Sequence, residues 1–292
     1  MPDARTEPVA ERYRDWQLDE LLEAMATRPV VQFLGSYRST SPVYRLELEG
    51  GLQIAFKPGV PDQETRWVHE VVAYRLARVL GLGSRMPPVV VRSVPASALG
   101  WAGRNDDLVR DPNDETRILG AAIVWLPVLR RTGLSLPEQR AIWERWLDPS
   151  QPQPRGADAA LAEEISTVLV FDYLQANEDR WNEANVRTDE YDHIVYRDNN
   201  VGWFPRKMRA LAWGETRLHL AGRFSRRFVA AIEQAGVDRL RDELARGQRE
   251  GVALTTERVL RYYEIRRRAV LAYVAEMRTQ HGDAAVFFED AR

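Results

Sequence analysis

Asparagine is scarce and crowded in this chain. Of its seven asparagines, five (Asn177, Asn182, Asn185, Asn199 and Asn200) lie within 24 residues, in a window that also holds Asp179, Asp189, Asp192 and Asp198. Asn and Asp offer hard oxygen donors and proton acceptors, the set that holds Mg²⁺ or Mn²⁺ beside phosphate. The same residues favour turns, so the window gains meaning only from what accompanies it. Upstream, the string AFKP carries Lys57, and Glu70 follows 13 residues later. The chain has 41 basic residues, of which only Lys57 and Lys207 are lysine. In a chain that otherwise writes its cations as arginine, a lysine marks a place where a compact ammonium suits and a planar guanidinium does not, as among phosphates. That argument gives Lys57 a role and leaves Lys207, in FPRKMR, without one.

These groups need a scaffold, and the hydropathy pattern supplies one. Residues 9–27 repeat Trp16, Leu18, Leu21, Leu22 and Met25 at helical spacing. Three strands are expected next, Val30–Leu34, Val43–Leu48 and Leu52–Phe56, with Gly50-Gly51 as the tight turn between the last two. The loop 35–42 contains Gly35, Ser36, Ser39 and Thr40. A helix over 63–81 has a stripe of Val68, Val71, Val72, Leu76, Val79 and Leu80 and stops at glycines. Glu70 lies off that stripe, on a face with Ala73, Tyr74 and Ala77 rather than charges, as in a helix wedged between a sheet and a cleft. Strands over 86–94 and 119–126 flank a polar loop at 97–116. After a proline-rich break at 147–157, a buried helix spans Asp158–Gln175 with Asp158 as its N-cap. A short strand, His193–Tyr196, leads to Asp198, and the chain is helical and arginine-rich from about 221. The order predicts an α+β chain: a helical extension over 1–28, a small sheet-rich N-lobe over 29–130 and a larger helical C-lobe over 131–292.

Composition removes several classes of function. Net charge is −2, so no global field recruits nucleic acid or anionic lipid. Cysteine is absent, which excludes disulfides, thiolate metal sites and cysteine nucleophiles. The four histidines form no paired zinc motif. The longest apolar run, 120–129, falls well short of the about 20 residues a membrane span needs. The N-terminal residues have no apolar core of a signal peptide. The expectation is a cytoplasmic protein that binds neither nucleic acid nor membrane. The nine tryptophans and ten tyrosines are spaced as core residues, and the arginine clusters as solvated faces.

A strand lysine, a helix glutamate, an aspartate after a buried helix and a second aspartate closing a strand are the parts of kinase-like phosphoryl transfer. The sequence resembles the atypical secretory kinases of the Golgi casein kinase and glycosaminoglycan xylose kinase type, and more distantly the HipA-type and phosphoinositide-type kinases. Four segments carry the resemblance: FKP at 56–58; HEVVAYRLARVLGL at 69–82 with MPPVV; GAAIVWLP at 120–127; and VFDYLQANEDRW at 170–181 with RDNNVGWF at 197–204. The resemblance implies a two-lobed kinase-like fold using ATP with Mg²⁺ or Mn²⁺ and an acceptor hydroxyl on a protein, glycan or small molecule. It makes Lys57 the phosphate-binding lysine, Glu70 its partner, Asp179 the catalytic aspartate and Asp198 the metal ligand. Val124, Trp125 and Leu126 then lie against the adenine, and Gly35 and Ser36 near the phosphates. The second metal ligand falls to Asn185, at six residues after Asp179, with Asn182 the other choice. A nucleotide-binding pseudokinase, an AMP-transferase on the same fold and a metal-dependent hydrolase are the competing readings.

Overall fold

A computed structural model describes residues 16–37, 41–60, 66–104, 107–181, 185–203, 214–246, 249, 252–254 and 257–289. Expectations for Ser39, Thr40, Asn182 and Lys207 lie outside the described residues. Helix α1 (Leu18–Thr27) leads into strands β1 (Val30–Tyr37), β2 (Val43–Leu48) and β3 (Gln53–Pro58). Helix α2 (Arg66–Val79), β4 (Val89–Pro95), β5 (Arg110–Asp111) and β6 (Asp114–Val124) follow. The strands make one antiparallel sheet in the order β1-β2-β3-β6-β4, with β5 on β6. The β2–β3 connection is a three-residue loop between the paired Leu48 and Leu52, and it uses Gly50 and Gly51 at φ +83° and +79°, backbone that favours glycine.

The central strands of the sheet are covered on both sides. On one side Leu46, Leu48, Ile54, Phe56, Ile118 and Ala122 pack with Leu21, Ala24 and Met25 of α1 and with Leu99 of a 3₁₀ segment. Buried Arg92 of β4 donates to the carbonyls of Met25 and Arg28, which satisfies the open C-terminal end of α1. On the other side α2 covers Val89, Val91, Leu119 and Ala121. Eleven of the 14 residues of α2 are buried, Glu70 among them, because the helix is held between the sheet and the helical lobe. Its outer end is tied down by Arg75 and Arg78, which pair with Glu243 at 3.2 and 3.3 Å.

Several local readings change. The region read as a polar loop at 97–116 holds 3₁₀ turns, β5 and the first residues of β6. An Asx turn, Asn113 N–H to Asp111 Oδ1 at 3.0 Å, closes that hairpin although its residues are polar. Strand β1 runs on to Tyr37, so Gly35 and Ser36 pair with Arg45 and Tyr44 instead of lying in the loop. Strand β3 runs to Pro58 and includes Lys57. Asp158 is not the N-cap of its helix: Gly156 is, and Asp158 sits in the first turn, where its charge suits the helix dipole.

Gly120 of β6 shows how tightly β3 is held. A Cβ there would overlap the Lys57 carbonyl oxygen and lie 2.8 Å from Pro58 Cα. Gly120→Ala is expected to cost about 1–3 kcal/mol by overpacking, seen as a lower urea midpoint at unchanged m-value.

The helical lobe begins with the short strand β7 (Arg130–Arg131) and α3 (Pro137–Leu147). The latter has no counterpart among the sequence expectations; Pro137 starts it and Trp143 and Leu147 anchor it. Helix α4 (Ala157–Gln175) is the lobe's axis, with eleven buried residues. Strands β8 (Arg187–Thr188) and β9 (Ile194–Val195) join β7 in a small antiparallel sheet. Helices α5 (Arg226–Gln234), α6 (Val237–Arg246), α7 (Glu257–His281) and α8 (Asp283–Val286) complete it.

Candidate active site

The centre of the site is an ammonium held by two carboxylates. Lys57 Nζ lies 2.5 Å from Glu70 Oε1 and 2.8 Å from Asp198 Oδ1. The strand brings the lysine, the buried helix α2 the glutamate and the chain after β9 the aspartate, 141 residues away in sequence. Burial alone would lower the lysine's pKa, but Glu70 and Asp198 outweigh it and push it up to about 12. Burial likewise opposes ionisation of Asp198, and Lys57 overrides it, holding the carboxyl below its ordinary range. Asp198 takes a left-handed backbone, φ 59°, which turns its carboxylate back toward Lys57 at the end of the strand.

Asp179 is placed by the end of α4. Ala176 closes that helix in the left-handed conformation, φ 56°, with Asn177 N–H donating to Asp172 O at 2.8 Å. Asn177 Oδ1 then accepts from Asp179 N–H at 3.0 Å, and its Nδ2 reaches Asp198 O at 3.4 Å. One side chain therefore ties both aspartate segments together. Asn185 donates Nδ2 to Asp179 Oδ2 at 2.8 Å and to Asp179 O at 3.0 Å. Its amide holds Asp179 in place, and its carbonyl oxygen is the atom a cation could take.

Beneath these groups is a buried polar network centred on Arg180, a residue whose sequence context suggests that it positions the loop or an acidic neighbour. Arg180, fully buried, places Nε at 3.2 and 3.3 Å from the two oxygens of Asp172. It also donates to Arg197 O and Asn199 Oδ1. Asn199 receives Gln175 Nε2 at 3.0 Å on the same oxygen, donates Nδ2 to Tyr196 O at 3.1 Å, and sends its backbone N–H to Glu70 Oε2 at 3.1 Å. Asn199 thus joins the glutamate helix to both aspartate loops. The available signal was Asp172, a carboxylate inside the apolar run VLVFDYL.

The remaining predicted contacts divide. Trp125 reaches the Lys57 side of the sheet, while Val124 packs in the core on the opposite side. Ser36 pairs with Tyr44, whose ring is in that opposite core. Alternation therefore turns the Ser36 hydroxyl away from Lys57, and the expected phosphate contact from that hydroxyl is corrected. Gly35, opposite Arg45, lies on the Lys57 side but within the strand.

The donor set suits a magnesium-like cation. Asp198, Asn185 and Asp179 present oxygen ligands only, matching the preference of Mg²⁺ and Mn²⁺. Among the described residues no three acidic or histidine side chains converge as a self-contained metal cage. A cation delivered with phosphates needs only one or two protein carboxylates.

Two lobes, a lysine strand, a buried glutamate helix and two aspartate loops define a protein-kinase-like fold of the atypical kind. Solved structures agree: the structure of hydra Fam20 with sugar superposes with TM-score 0.67 at 18% identity, over 94% of this chain and 93% of that one. The Golgi casein kinase gives 0.64 at 15% identity over 92% and 78%. The same kinase with Mn/ADP bound gives 0.66. No protein-family model matches the chain, and no curated protein does. Among the described residues no helix is long and apolar enough to cross a membrane.

Proposed function

We propose that this chain is an ATP- and divalent-metal-dependent phosphotransferase that moves the γ-phosphoryl group to a hydroxyl on a protein, glycan or small molecule. The observation that carries the reading is Lys57 Nζ bridging Glu70 and Asp198 at 2.5 and 2.8 Å. Lys57, oriented by Glu70, meets the phosphates of ATP as a fixed positive charge. Asp198, with Asn185, holds Mg²⁺ or Mn²⁺, which supplies charge neutralisation on the phosphate oxygens. Asp179, fixed by Asn177 and Asn185, orients the acceptor hydroxyl and takes its proton. These groups act by positioning and preorganised electrostatics. With no cysteine in the chain, nothing in it calls for an oxidising compartment, and we assign the reaction to the cytoplasm.

The test is incubation with γ-labelled and, separately, α-labelled ATP plus Mn²⁺, on the chain itself and on candidate acceptors. Transfer of the γ label alone, lost on chelation, is the expected result. Transfer of the α label would make the chain an AMP-transferase. Metal-dependent ATP binding with no transfer from either label would make it a pseudokinase.

A further inference from the structure

The face of the sheet that carries Lys57 bears a second group of side chains nearer the chain's crossing between lobes. Residues two apart in a strand share a side, so Gln53 and Ala55 lie with Lys57. Arg45 pairs with Ala55, and Ala55 with Ile123. Trp125 N–H donates to Gln53 O at 2.9 Å, which carries the β3–β6 pairing one step past Val124 and sets Trp125 on this side. Tyr37, two residues after Gly35 and opposite Val43, is on it as well.

These side chains meet. The rings of Tyr37 and Trp125 stack at 5.3 Å and 29°, and Arg45 Cζ lies 4.5 Å from the Trp125 ring centroid. The guanidinium is aimed by its neighbours: Arg45 Nε and Nη2 donate to Gln53 Oε1 at 3.2 and 2.6 Å, and Gln53 Nε2 donates to Glu47 Oε2 at 3.1 Å. Tyr37 is 46% exposed, whereas the rings of Tyr44 and Phe56 on the opposite side are buried. The core does not need this stack, yet its parts are fixed in place at the open face.

The adjoining backbone offers few donors to the edge of a base. Val124 N–H is used by Pro88 O and Trp125 N–H by Gln53 O. Pro127 has no N–H. Between 124 and 127 that leaves one donor, the N–H of Leu126. Discrimination between bases depends on patterned donors and acceptors, whereas stacking on aromatic rings and guanidinium tolerates any base.

We propose that Tyr37, Trp125 and Arg45 form an aromatic–guanidinium wall that holds the nucleobase of the phosphoryl donor by stacking, so that the site takes guanine as well as adenine nucleoside triphosphates. This rests on the phosphotransferase reading above. The test is calorimetric titration of the intact chain, with Mn²⁺ present, by ATP, GTP and inorganic tripolyphosphate. ATP and GTP are expected to bind within about fivefold of each other and at least about tenfold tighter than tripolyphosphate. Trp125→Ala and Arg45→Ala are expected to weaken both nucleotides about tenfold and leave tripolyphosphate within about twofold. Tyr37→Ala, at an exposed position, gives the same readout if Trp125→Ala does not fold. Rejection of GTP, or equal effects of the variants on nucleotides and tripolyphosphate, overturns the wall while the phosphate site stands. Failure of the unaltered chain to bind any of the three overturns the phosphotransferase reading and the wall with it.

Discussion

Lys57→Met is expected to lower phosphoryl transfer by about 10²–10³-fold, the scale of one lost preorganised electrostatic contact, and to destabilise the fold by about 3–5 kcal/mol. The two losses have separate causes. Glu70 is 1% exposed and has one oxygen on Lys57 and the other on the backbone N–H of Asn199. Removing the ammonium leaves that buried carboxylate without its counter-charge, and Asp198 loses the same partner. Adding Glu70→Gln removes the stranded charge while an amide oxygen can still accept the Asn199 N–H. The double variant is therefore expected to recover most of the stability and none of the transfer. Urea midpoints and γ-label transfer, measured on both variants, decide it. A double variant no more stable than Lys57→Met would show that the buried charge is not what Lys57 holds in check. The signs of the shifts add a pH statement. The Lys57 contribution is complete below its ordinary 10.5 and lost as pH rises through about 12. That of Asp198 is present above its ordinary 3.8 and lost only as pH falls below it. Between these limits Lys57 and Asp198 both stay charged.

What the sequence made legible were the groups whose residue type is itself unusual. Lys57 stood out against the arginines, and the asparagine–aspartate window against a chain otherwise poor in asparagine. Glu70 could be read because its helix face carried alanines and a tyrosine rather than charges, and the structure buries Glu70, Ala73, Tyr74 and Ala77 alike. Secondary structure came through where hydropathy alternates, as in β2, or is apolar on every side over a long run, as in α4; the observed bounds of both lie close to the expected ones. It failed where backbone pairing outweighs side-chain polarity. Strand β1 keeps pairing through Gly35 and Ser36 because β2 offers it a partner, and β6 begins on Asp114 because a side-chain turn closes the hairpin before it. Both pairings are local hairpins, yet their polar side chains carry no hydropathy period to mark them. The same holds for the network under the site. Asp172 and Arg180 are common residue types, Asn199 stands out only as one of the crowded asparagines, and the packing of α4 against the two loops is what shows that each completes the others' hydrogen bonds.

That network supports the second large effect. Arg180→Met is expected to cost about 3–5 kcal/mol at pH 8, because it leaves Asp172 buried without its partner, and clearly less at pH 5. The pH dependence follows from Asp172. Burial outweighs Arg180 there and pushes the carboxyl up to about 6. A folded value above the ordinary 3.8 means that its contribution is complete below 3.8 and is lost as pH rises through about 6. Without Arg180 the largest of the influences that draw Asp172 down is gone, Arg217 and Gln175 remaining, so the folded value climbs further and the variant's deficit widens as pH rises. Adding Asp172→Asn removes the titrating group, so the double variant is expected to recover much of the stability, and its deficit is expected to narrow from pH 5 to pH 8 because only the unaltered chain then loses the Asp172 contribution. Equal deficits for the single variant at the two pH values would sink the argument. Activity is expected to stay low even where stability returns. Arg180 also donates to Arg197 O and Asn199 Oδ1, and no methionine can hold the segment that presents Asp198 to Lys57.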